Sequence, residues 1–149
     1  MTCFFSCKYF TKQKIDTTRL DSISFTSVDK YPSFKVCDSV FEKNEKRDCF
    51  RMTIHREITR SLATYEIKVK KEIDEVIQVV ITINSDKNIV LTSIEASQDI
   101  YREIPDIEII IKKAIADLPE VFPAIKKSIP VTSEYMLPIR IKLKNQTPK

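Results

Sequence analysis

Apolar residues recur along this chain in two rhythms. From Asp48 onward, Phe50, Ile54, Ile58 and Leu62 fall every four residues. That spacing puts them on one face of a helix, with Asp48 as a plausible N-cap. Arg51, Arg56 and Arg60 lie off the stripe, so the pattern predicts an amphipathic helix over about 48–62. Residues 75–84 (Glu-Val-Ile-Gln-Val-Val-Ile-Thr-Ile-Asn) are β-branched and bounded by turn formers, which predicts a well-buried strand. Residues 85–88 make a turn and 89–97 the returning strand of a hairpin. Pro105 opens a second helix, with Asp106 and Glu108 complementing its dipole. Ile107, Ile110, Ile111, Ala114, Ile115 and Leu118 form its buried stripe, and Pro119 and Pro123 end it. A last alternating run, 131–143, completes the order α-β-β-α-β. The fold class this implies is α+β, with two helices packed on a small three-stranded antiparallel sheet.

The last strand carries Pro138 in its middle. Proline has no N–H for a ladder, so a strand that contains it belongs at a sheet edge. An exposed C-terminal edge strand offers unpaired backbone groups to another chain, which is how β-augmentation partners are captured. The pattern therefore points to binding rather than catalysis.

Composition narrows this further. The 149 residues suit one domain, with residues 1–30 read as a flexible leader, 31–144 as the ordered domain and 145–149 as a tail. Net charge is +4, distributed as +3 over residues 1–20 and +4 over 138–149, which leaves −3 for the body. Basic ends on a faintly acidic body have some affinity for an anionic membrane or envelope polymer, although solvated tails are the simpler reading. No basic stripe is interleaved with aromatics, which argues against nucleic acid. Glycine is absent altogether. That excludes Walker and dinucleotide loops, which need glycine for tight turns and close phosphate approach. There is no run of eighteen apolar residues of the kind a membrane-spanning helix needs. The only histidine, His55, reads as a surface or boundary residue, and no nucleophile elbow or zincin motif accompanies it. No enzyme, no metal and no cofactor is expected. The Cys3-x3-Cys7 spacing does not make a zinc site.

From about Tyr31 to Leu143 the chain resembles the C-terminal domain of TonB-type energy transducers, particularly their Bacteroidetes versions. The resemblance rests on Tyr31-Pro32-Ser33-Phe34-x-x-Cys37 followed by Cys49-Phe50-x-x-x-Ile54-x-x-x-Ile58. It continues in the hairpin Val79-Val80-Ile81-Thr82-Ile83-Asn84 with Ile89-Val90, and in Leu118-Pro119 through Phe122-Pro123-Ala124. Its most specific part is Ile129-Pro130-Val131, Tyr135 and Leu137-Pro138-Ile139-Arg140-Ile141-Lys142-Leu143. Two glycine positions of the family differ here, reading Asp86-Lys87-Asn88 in the hairpin turn and Lys127-Ser128-Ile129 before the last strand. Asn88 is the residue expected to supply a positive φ in the first of these.

The resemblance implies a periplasmic module of the cell envelope whose last strand pairs with an extended segment of an outer-membrane receptor, in support of TonB-dependent transport. The candidate partner-binding residues are Val131, Ser133, Tyr135 and Leu137 on one face of that strand and Thr132, Glu134 and Met136 on the other. Pro138 removes one donor. An oxidising periplasm would allow Cys37 and Cys49 to form a disulfide across the charged loop between them, worth about 3 kcal/mol in the chain-entropy model. Two buried free thiols are the alternative. The opening Met1-Thr2-Cys3-Phe4-Phe5-Ser6-Cys7 resembles the end of a bacterial lipoprotein signal, with Cys7 as the lipidation candidate and a lipid as membrane tether. The rival expectation is a membrane-tethered or self-associating envelope protein, a homodimer, that uses the same edge strand without energy transduction.

Overall fold

In a computed structural model, residues 28–145 are described. Over these residues the fold is α+β, with three helices and three antiparallel sheets. Strand β1 (Ser33–Phe34) leads through a single 3-10 turn (Lys35–Cys37) and a polar loop into helix α1 (Lys43–Leu62). The hairpin β2 (Ile73–Ile83) and β3 (Ile89–Glu95) follows, then α2 (Gln98–Glu103) and α3 (Ile107–Ala116). The chain closes with β4 (Val121–Phe122), β5 (Ala124–Lys126), β6 (Ile129–Val131) and β7 (Ser133–Leu143). The main sheet has the order β3-β2-β7, while β1 pairs with β4 and β5 with β6.

The α1 stripe is buried as its period requires: Phe50, Ile54 and Ile58 are at most 1 % exposed, and Thr53 joins them. The helix starts earlier than the apolar stripe, because Lys43, Glu45, Lys46 and Arg47 are good helix formers and the Lys46 N–H already donates to the Glu42 carbonyl. The N-cap is Glu42, not Asp48. In α3, Ile107, Ile111, Ala114 and Ile115 are buried, and Asp106 is the N-cap. Helix α2 was not expected. It is one and a half turns long, and the Ser97 hydroxyl accepts from the Ile100 N–H at its start.

Among the described residues the helices cover one face of the sheet. Ile73, Ile77, Val79, Ile81 and Ile83 of β2 and Tyr135, Leu137, Ile139 and Ile141 of β7 join the helix stripes in a single core. Phe50 is its hinge, stacked on Phe34 with ring centres 5.1 Å apart and meeting Tyr135 edge-on at 5.1 Å. Aromatic contacts of this kind add about 0.5–1.5 kcal/mol to the burial itself. Cys37 and Cys49 are joined by a disulfide, which staples the 3-10 turn to α1 and closes the loop that carries Asp38 to Asp48.

Turns in a chain without glycine fall on other residues. Lys87, Lys127 and Ser128 all have positive φ, at 73°, 49° and 62°. In the β2–β3 turn Lys87 takes this conformation, not Asn88, whose N–H is instead held by Asp86 Oδ1 at 3.0 Å. Lys127 and Ser128 form the two-residue turn between β5 and β6, with the Asp29 carboxylate accepting from the Lys127 N–H at 2.6 Å. This unexpected hairpin divides the last strand. Val131 pairs with Ala124 in the β5–β6 sheet, Thr132 lies between strands, and β7 begins only at Ser133.

Candidate functional site at the β7 edge

Strand β7 lies at one margin of the main sheet, and among the described residues it pairs with β2 alone. Its register with β2 is unbroken over eleven pairs, from Ser133 opposite Ile83 to Leu143 opposite Ile73. In an antiparallel strand each residue turns its N–H and C=O to the same side, alternating along the chain. The Pro138 carbonyl accepts from His55 Nε2, on α1, at 3.1 Å, so Pro138 faces away from β2. Its missing donor therefore falls on the outer edge, and the ladder to β2 loses nothing. By the same alternation, Glu134, Met136, Arg140 and Lys142 present their backbone groups outward, while Ser133, Tyr135, Leu137, Ile139 and Ile141 bond to β2.

This geometry sorts the candidate residues. Glu134 and Met136 are on the uncovered face and at the outer edge, with Glu134 exposed and Met136 half-buried. The Tyr135 and Leu137 side chains are 7 % and 3 % exposed and belong to the core, so they support the strand from its inner face. Ser133 opens the strand, and its buried hydroxyl has no hydrogen-bond partner among the described residues. Val131 and Thr132 are displaced from the edge by the β5–β6 hairpin, and the Thr132 hydroxyl accepts from the Ser85 N–H at 3.3 Å. Cys7 lies outside the described residues. The structure adds one residue that the sequence reads only as a boundary histidine: His55 closes over the edge at Pro138.

The far end of the edge is fixed electrostatically. Arg140 donates from Nε and Nη2 to the two Asp74 carboxylate oxygens at 2.7 and 2.8 Å, joining β7 to β2 on the uncovered face. The hydrogen bonds from Arg140 hold the Asp74 carboxyl below its ordinary value, and Asp74 in turn raises Arg140. Among the described residues there is no cluster of His, Cys, Asp or Glu that could hold a metal ion, and no helix is long and apolar enough to cross a membrane. The chain matches no family model, no curated protein and no solved structure.

Proposed function

We propose that this protein is a binding module of the TonB C-terminal type, which takes an extended segment of an outer-membrane receptor or another envelope partner by strand addition on β7. The observation that carries this reading is the eleven-residue edge strand, held in uninterrupted register on one side and, among the described residues, unpaired on the other. Its outward groups at Glu134 and Met136 would bond to the backbone of the incoming segment, which tolerates many sequences. Side chains on the uncovered face would tune the choice. Several ladder bonds loaded together in shear resist pulling, as a transport coupler requires. The Cys37–Cys49 bridge supports a periplasmic setting, since such bonds persist in oxidising compartments. In this reading the protein binds and does not catalyse, and it needs no metal or cofactor.

The test is Met136→Pro, with Met136→Ala as control. Proline there removes an outward donor and spares the ladder to β2. Binding of a synthetic extended peptide copied from a receptor's periplasmic end should weaken about tenfold, the loss of one hydrogen bond's upper value. Undiminished binding by Met136→Pro, with the fold intact by circular dichroism, contradicts strand addition on β7.

A further inference from the structure

A second surface, which uses no residue of β7, carries an unexplained knob beside an unexplained hole. The knob is Phe41. It is 95 % exposed, the most exposed large apolar side chain among the described residues, and acidic residues Asp38 and Glu42, both exposed, flank it. It stands on the loop between Cys37 and Cys49, which the disulfide closes at both ends, so the knob is held in place before any partner arrives. A solitary exposed phenylalanine loses free energy to water, and a rigid one in an acidic setting is a poor choice for a solvated loop.

The hole is a groove of about 650 Å³ whose rim Phe41 itself helps form. Tyr31 and Phe122 give it aromatic walls, and Lys30, Lys43, Lys46 and Lys87 surround it. Lys43 lies over the Tyr31 ring at 5.2 Å and Lys87 over the Phe122 ring at 5.1 Å, so two of the cations are already braced on the walls. Lys87 also meets Glu120 at 2.8 Å, whereas Lys30 and Lys46 meet no carboxylate among the described residues. The one acid in the lining, Asp29, is engaged by the Lys127 N–H. The groove thus asks for an apolar, preferably aromatic, side chain carried on an anionic segment. The volume falls within the range of about 300–1,000 Å³ that suits a specific pocket.

The 38–42 segment is such an occupant, and it sits on the same patch. A two-fold contact between identical chains must be self-complementary, with each copy offering what the other accepts. A knob next to its own complementary hole meets that condition. We infer that two copies of this chain associate through this face, each Phe41 entering the other's lysine-lined groove with Asp38 and Glu42 against its lysines.

Sedimentation velocity on the full chain, from micromolar to millimolar concentration, tests this. A monomer–dimer equilibrium is expected, weakened at least tenfold by Phe41→Ser, a change at an exposed site that leaves the core untouched. Lys30→Glu with Lys43→Glu and Lys46→Glu in one chain, which turns the groove from four cations to a net negative charge, and Asp38→Lys with Glu42→Lys in another, should each weaken it similarly and make it rise with salt. An equimolar mixture of those two variants should recover dimer, because both contacts of the mixed pair are again opposite in charge. The inference is overturned by a monomer throughout the range, by association that Phe41→Ser leaves unchanged, or by a charge-reversed mixture that fails to recover. Association abolished instead by Met136→Pro would assign it to the β7 edge and overturn this interface as well.

Discussion

The main sheet has two margins, and they are built to opposite ends. At β3 the edge is short and interrupted: its pairing with β2 skips Thr92, a bulge that bends the strand and breaks the row of free groups. Ile94, opposite Val79, turns its carbonyl outward, and the Tyr101 hydroxyl from α2 donates to it at 2.8 Å. Helix α3 packs beside it. At β7 the edge is eleven residues long and straight in register, and among the described residues it pairs with β2 alone, with His55 capping Pro138. Natural sheets blunt their edges against unwanted pairing with bulges, short strands and covering elements. This sheet does so on one side only. An edge left open while its counterpart is closed is better explained by use than by neglect.

The contrast can be broken at its support, at its caps and at its charges. Phe50→Ala has the largest expected effect. It empties the place where α1 meets both Phe34 and Tyr135, and should cost about 3–5 kcal/mol in urea unfolding. Native-state hydrogen exchange in that variant should rise more in β7 than in β3, because α1 bears on β7. Equal loosening of both margins would undo the claim that α1 organises the open edge. Replacing Cys37 and Cys49 by serine comes next, at about 3 kcal/mol for a closed loop of this size, read as a lower midpoint in thermal unfolding.

The caps allow a sharper test. His55→Ala and Tyr101→Phe each delete one hydrogen bond to an outward carbonyl that water can then reach, and each should cost about 1 kcal/mol or less. Their effects on partner binding should differ. Uncapping Pro138 lengthens the usable edge and should tighten the binding of an extended peptide, whereas Tyr101→Phe should leave it unchanged in calorimetry. The smallest effect concerns pH. The Asp74 carboxyl is depressed in the fold by Arg140, so its contribution is present above the carboxylate's ordinary unfolded value. It is lost as pH falls through the lower folded value, below about 4. Asp74→Asn should flatten that acid limb of the stability curve, and the exchange difference should be confined to the Leu143 end of β7.

What the sequence disclosed follows from how local each signal is. The β-branched run through Ile81 and the four-residue stripe of Phe50, Ile54 and Ile58 are self-announcing, and both became buried elements at nearly the expected places. Pro138 announced the edge, because its missing donor is a property of one residue. Helix α2 is hard to read from the sequence because six residues carry too little periodicity, although Ser97 as cap is a usable sign. The β5–β6 turn was hidden because Lys127 and Ser128 adopt positive φ, which neither residue type advertises. Without that turn, Val131 and Thr132 read as part of the last strand, whereas Val131 belongs to β6 and Thr132 lies between strands. His55 and Pro138 are 83 residues apart, and only the packing of α1 along the sheet brings them together.

The most direct measurement is amide hydrogen exchange by NMR on the full chain, with and without a saturating receptor-derived extended peptide. Strand addition predicts new protection in alternation, at Glu134 and Met136, whose donors face outward. Ser133, Tyr135 and Leu137, already bonded to β2, should change little, and β3 should not respond. Saturation with no new protection at Glu134 and Met136, or with protection appearing along β3 instead, would contradict the assignment of the open edge as the binding site.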